Sequence, residues 1–132
     1  QAYEGGSMKH DVSVPVHKVP EFLNQADAII LREIPDARLC TFGHLGDGNM
    51  HYNITQPAHM DKQEFMNMQP HINQLIYELV SDMNGSIAAE HGVGRFKRDL
   101  LTQVKDPVEL ELMKEIKKML DPKNIINPGK VV

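Results

Sequence analysis

Between Met8 and Val14 the chain alternates: Met8, His10, Val12 and Val14 fall on one face, and Lys9, Asp11 and Ser13 on the other. A period of two marks a strand with one face against a core. Pro15 ends it. The spacing then becomes helical, with Val19, Phe22, Leu23, Ala26, Ile29, Ile30 and Ile34 on one stripe, Pro20 in the first turn where its missing N–H costs nothing, and Pro35-Asp36 as the stop. Two more short strands are predicted over Arg38–Gly43 and Met50–Thr55, joined as a hairpin through Gly46-Asp47-Gly48-Asn49, whose glycines can take positive φ.

A second helical stripe runs from Asp61 to Met83 through Phe65, Met68, Ile72, Leu75, Ile76, Leu79 and Val80. Pro70 kinks it or marks its true start, and Asn84-Gly85 stops it. Ser86–Ala89 is a fourth short strand. The glycines after Glu90-His91 open a short basic helix through Leu101, and Asp106-Pro107 starts a last one, with Glu109 placed for a capping box and Leu112, Met113, Ile116 and Leu120 as its apolar face. Asp121-Pro122 ends it, and Asn127-Pro-Gly-Lys130 trails off. The order strand, helix, strand, strand, helix, strand predicts an α+β fold of ferredoxin-like type, an antiparallel sheet with helices on one face, plus C-terminal helices.

At 132 residues this is one domain by size. The chain opens on Gln1 and its lead-in Glu4-Gly5-Gly6-Ser7 runs straight into a strand, so we expect a piece of something longer, with 1–7 as lead-in and 8–132 as the domain. The formal charge is −4, from 14 basic and 18 acidic residues, and no Lys/Arg run is long enough to track a phosphate backbone, which argues against nucleic acid. No apolar run approaches a bilayer span and no signal-peptide pattern is present, so a cytoplasmic protein without a membrane span is expected. The single Cys40 excludes an internal disulfide framework and a cysteine-based zinc site. His and carboxylate remain as the strong ligands.

That directs attention to His44-Leu-Gly-Asp-Gly-Asn-Met-His51 and to Glu90-His91-Gly92-Val93-Gly94. On one uninterrupted strand His44 and His51 would face opposite ways, but the glycine turn lets both imidazoles enter one space. Two imidazoles and one carboxylate form a common catalytic set for zinc, manganese or iron(II), and Glu90 is the natural third ligand. Asp47 competes for that role, although in a tight turn its carboxylate tends to bond the local backbone. A purely structural reading holds these histidines by backbone hydrogen bonds. His91 is placed to act as general base, or else to cap the helix that follows. Asn53 shares a face with His51, and Lys9 is either a ligand for a substrate carboxylate or a solvated charge on an edge strand. Arg95, Lys97 and Arg98 read as a solvated or interdomain face, Met60, Met66, Met68, Met83 and Met113 as core filler, and His10, His17, His59 and His71 show no partner pattern.

Three stretches together, His44–His51, Ser86-Ile-Ala-Ala-Glu-His-Gly-Val-Gly94 and Leu120-Asp-Pro-Lys-Asn-Ile-Ile-Asn-Pro-Gly-Lys130, resemble the C-terminal domain of the FAD-linked oxidases of the vanillyl-alcohol oxidase superfamily. Lys9-His-Asp-Val-Ser-Val-Pro15 is similar to the opening strand of that region. The resemblance spans Lys9 to Lys130 and is nearest the D-2-hydroxyacid dehydrogenases, a branch that includes the D-2-hydroxyglutarate and D-lactate dehydrogenases and the glycolate oxidase D subunit. It implies that His44, His51 and Glu90 bind a divalent metal, usually zinc, that His91 is the base for the substrate hydroxyl, and that Lys9 and Asn53 contact the substrate. Asn127 of the tail is the candidate for cofactor contact. His10 stands where relatives often carry an aromatic residue.

The implied reaction is oxidation of a D-2-hydroxy acid, with hydride transfer to flavin. FAD would be held mainly by an N-terminal domain outside this sequence, since no strand followed by a Gly-rich phosphate loop occurs here. On that reading the isolated chain is expected to be inactive. Its partners would be the hydroxy acid, its own FAD-binding domain and an electron acceptor the residues do not specify, with a homodimer left open. The alternative is a stand-alone metal-binding or interaction module without redox activity. A metallohydrolase fits the His, His, Glu set alone but leaves the Asn127 tail and the Lys9 strand unexplained.

Overall fold

A computed structural model describes residues 5–132, which divide into two compact units meeting in sequence at Glu90 and His91. In the first unit β1 (Ser7–Ser13), β2 (Arg38–His44) and β3 (Asn49–Thr55) form an antiparallel sheet in the order β1-β3-β2. Of the expected lead-in 1–7, residues 1–4 lie outside the described residues, and Ser7 already belongs to β1. α1 (Val19–Glu33) and α3 (Gln69–Asp82) pack on each other, and α3 packs on β1. The core lies between sheet and helices and includes Met8, Val12, Phe22, Ala26, Ile30, Tyr52, Ile54, Ile72, Ile76 and Val80, all fully buried. The α+β arrangement expected from the sequence is the one observed.

The fourth strand is a correction. Ser86 forms only an isolated antiparallel bridge to Ser13, with Ser13 N–H donating to Ser86 O at 3.0 Å and Ser86 N–H returning to Ser13 O at 2.8 Å. Its place on the free edge of β1 is the one the ferredoxin-like order requires. Extension beyond it gives way to the turn that carries Glu90, where the backbone serves the β1 side chain of Asp11 instead of a ladder.

The β2–β3 connection also differs. A 3₁₀ turn over Leu45–Asp47 bridges the strands, and Gly48 alone of the two turn glycines has positive φ, at 73°. Asp47 Oδ1 accepts from Asn49 N–H at 3.2 Å, the local bond expected for it. Farther on, the second stripe breaks at Pro70. α2 (Lys62–Asn67) is capped by Asp61, whose carboxylate accepts from the N–H groups of Gln63 and Glu64, and α3 begins afresh with Pro70 in its first turn. Asn84, at φ 58°, takes the left-handed stop position expected of the Asn84-Gly85 pair.

The second unit holds α4 (Arg98–Val104) and α5 (Pro107–Leu120). The basic helix starts later than expected because Gly92 and Gly94 both adopt positive φ, which keeps Arg95 and Lys97 in turns. Asp106 caps α5 by accepting from Val108 N–H, while Glu109 pairs with Lys105 at 3.0 Å and supplies no capping box. The predicted apolar face of α5 is not a core: Leu112, Ile116 and Leu120 are each more than half exposed, and Leu110 is the residue it buries. The tail does not trail off. Asp121 accepts from the N–H groups of Ile125 and Ile126 at 2.9 Å and from Lys117, and Val131 N–H donates to Gly94 O at 2.8 Å. No helix among the described residues is long and apolar enough to cross a membrane.

Candidate functional site

Period-two alternation dedicates one face of the sheet to the core and leaves the other to polar residues. In register, that second face carries the rows Lys9–Asn53–Cys40, Asp11–His51–Phe42 and Ser13–Asn49–His44. Three of the sequence-predicted residues, His51, Asn53 and Lys9, therefore sit on adjacent rows of one surface. His44 closes β2 at the rim.

Glu90 reaches this face from the turn after Ser86. His44 Nδ1 lies 3.3 Å from Glu90 Oε1, and His51 Nε2 lies 3.8 Å from Oε2, so the carboxylate stands between the two rings. The ring centroids are 6.4 Å apart and nearly perpendicular. Asn49 donates from Nδ2 to Glu90 Oε1, while its own Oδ1 is buried without a hydrogen-bond partner among the described residues. On its other side His51 turns Nδ1 toward Asp11 Oδ1 at 3.7 Å, and Asp11 Oδ2 accepts from the Glu90 N–H at 3.0 Å. Phe42 lies beside the His51 ring, centroid to centroid 5.2 Å, although more than half exposed.

The donor chemistry suits a divalent cation of the zinc class: neutral imidazoles and one carboxylate, with no thiolate. Two donors each about 2.1 Å from a tetrahedral zinc ion would stand about 3.4 Å apart. The His44–Glu90 separation matches that spacing and the His51–Glu90 separation is a little longer. Yet the rings address opposite oxygens of the carboxylate, and among the described residues no group of three or more His, Cys, Asp or Glu is arranged to hold a metal ion. The donors are gathered, pairwise, by direct contact.

Lys9 is exposed at the centre of β1, opposite buried Asn53. His91 is exposed and opens the second unit, and Asn127 is exposed in that unit's tail at φ 47° with its carbonyl accepting from Lys130 N–H at 3.3 Å. Asp11, Asn49 and Phe42 are the site residues that sequence reasoning missed. Alternation put Asp11 on the correct face, but only the β1–β3 register sets it opposite His51. His10, for which the sequence suggested no partner, is almost fully buried, with Nδ1 3.2 Å from Tyr52 O and Nε2 2.9 Å from the Asn73 side chain. It packs edge-on against Tyr77 and belongs to the core face.

A family model described as FAD linked oxidases, C-terminal domain, matches residues 1–131. Among curated proteins, a D-2-hydroxyglutarate dehydrogenase of Stutzerimonas stutzeri is 50% identical over 123 residues, covering 93% of this chain and 26% of that protein. A D-lactate dehydrogenase of Anaerostipes hadrus is 36% identical over 121 residues, covering 92% of this chain and 25% of that protein. A protein of Arabidopsis thaliana named D-2-hydroxyglutarate dehydrogenase, mitochondrial, is 39% identical over 129 residues, covering 97% of this chain and 22% of that protein. The chain thus spans about a quarter of the length of these relatives. The last name assigns that relative to mitochondria, so the relatives do not carry the cytoplasmic expectation over to this chain.

Proposed function

The chain belongs to the FAD-linked oxidase C-terminal domain family, and from that premise we propose that it forms the substrate- and metal-binding part of a flavoprotein oxidising a D-2-hydroxy acid to the 2-oxo acid. The observation that carries the reading is the gathering of His44, His51 and Glu90 at the edge of the polar sheet face that also presents Lys9 and Asn53. Names of relatives support the substrate class, a D-2-hydroxy acid such as D-2-hydroxyglutarate or D-lactate. They also favour an oxidoreductase over a module without redox activity.

In this reading the Lys9 ammonium pairs with a substrate carboxylate and the Asn53 amide fixes the substrate by hydrogen bonding. His44, His51 and Glu90 would hold a divalent metal, with zinc as the first candidate. His91 accepts the α-hydroxyl proton while a hydride leaves Cα, so the carbinol loses two electrons and two hydrogens and becomes a carbonyl. When bound, the metal supplies positive charge beside the hydroxyl oxygen, and FAD, held mainly by a partner domain, supplies the hydride acceptor.

The test is dye-coupled turnover of D-2-hydroxyglutarate and D-lactate by the flavin-loaded parent protein. His51→Ala, Glu90→Ala and His91→Ala are each expected to lower kcat/KM about 100-fold or more, and Lys9→Ala to raise KM mainly. Turnover within twofold of wild type in the first two variants would contradict the assignment.

A further inference from the structure

Asp11 occupies a position that the reaction just proposed does not use. It is 7% exposed, on β1 opposite His51 in register, and its carboxylate does two things at once. Oδ1 lies 3.7 Å from His51 Nδ1, and Oδ2 accepts from the Glu90 N–H at 3.0 Å. Its carbonyl also accepts from Ala89 N–H at 3.4 Å. One β1 residue thus faces the ring of one candidate ligand and holds the backbone of another.

We infer that Asp11 is a positioning residue that anchors Glu90 beside His51. At 3.7 Å the approach to His51 Nδ1 is too long for a hydrogen bond, and Nε2 of the same ring faces Glu90 Oε2 at 3.8 Å, so the weight falls on the Asp11 bond to the Glu90 N–H. The hold on the Glu90 N–H fixes where the turn after Ser86 ends, and Asn49 secures the carboxylate from the other side. The inference rests on the proposed metal reading only in its consequence for metal affinity; the backbone anchor stands on the geometry alone.

The test is run on the ¹⁵N-labelled full chain at fixed mildly alkaline pH, with Asp11→Asn and Asp11→Ala beside wild type. Asp11→Asn keeps an oxygen for the Glu90 N–H and removes the charge, so it is expected to stay folded by circular dichroism. Zinc affinity by calorimetry should drop about 10–100-fold in Asp11→Ala and less in Asp11→Asn. Amide exchange at Glu90 should accelerate at least tenfold in Asp11→Ala but not in Asp11→Asn.

Faster Glu90 exchange in Asp11→Ala, restored in Asp11→Asn, when wild type takes up no zinc would uphold Asp11 and sink the metal reading. Unchanged Glu90 exchange in folded Asp11→Ala would overturn the inference, whether or not zinc binds.

Discussion

Tyr52 joins the two faces of the molecule's logic at one residue. Its ring is fully buried edge-on to Phe22, and its hydroxyl donates to Asp27 Oδ1 at 2.8 Å. Burial first, and the Asp27 carboxylate second, push the phenol well above its ordinary range, and burial with the Asp11 charge raises that of Tyr77. Because the folded state prefers both phenols neutral, their contribution is intact below the unfolded value of about 10 and is lost as pH rises beyond it. Both should therefore stay un-ionised at 295 nm above that pH until the native circular dichroism is lost. Ionisation within an intact fold would contradict this burial. Glycine at position 85 is required for a different reason: a Cβ there would stand 2.2 Å from the Ser13 carbonyl oxygen. Gly85→Ala is expected to break the Ser13–Ser86 bridge and to cost about 1–3 kcal/mol in chemical denaturation; an unchanged midpoint would refute the close approach. At this scale, alternation told which face each β1 residue occupies, whereas partners were illegible. Asp11 meets His51, and His10 meets Asn73, only through contacts across the fold that no local pattern encodes.

At the scale of elements, the strong periodic signals held. The strands appear within a residue or so of their expected bounds, and Pro20, Pro70 and Asp61 mark helix starts as their chemistry dictates. Short, weakly patterned segments were the ones that departed: Ser86–Ala89 shrank to a bridge, and the Gly46–Asn49 turn became a 3₁₀ turn stopped by Gly48. α5 shows why amphipathicity is not burial, since its stripe is well formed and yet largely exposed. The end of α5 is instead organised by Asp121. Its hydrogen bond from Lys117, with those from the Ile125 and Ile126 N–H groups, holds its carboxyl below the usual range. A depressed carboxyl stabilises above its unfolded value of about 4, and the contribution disappears as pH falls through the lower folded value. Acidification below about pH 4 should thus free the Ile125 and Ile126 amides to exchange, and Asp121→Asn should remove most of that pH dependence. An Asp121→Asn protein with the wild-type acid profile would assign the effect elsewhere.

For the molecule as a whole, the division of labour in the first unit follows from β alternation. One sheet face is spent on the core with α1 and α3, which leaves the other to carry Lys9, Asp11, His51, Asn53, Asn49 and His44 in register. The two-histidine motif and Glu90 were legible as a candidate site because their residue types are chemically conspicuous, and the structure brings them into contact. The supporting residues were not, because Asp11 and Asn49 are ordinary polar residues until the register and the turn after Ser86 place them. The most direct measurement of the central claim is calorimetric titration of zinc and manganese into the folded chain, beside His51→Ala and Glu90→Ala. The account predicts saturable one-to-one binding in wild type that is lost in both variants; no binding to the folded wild type, or binding that both variants retain, would contradict it.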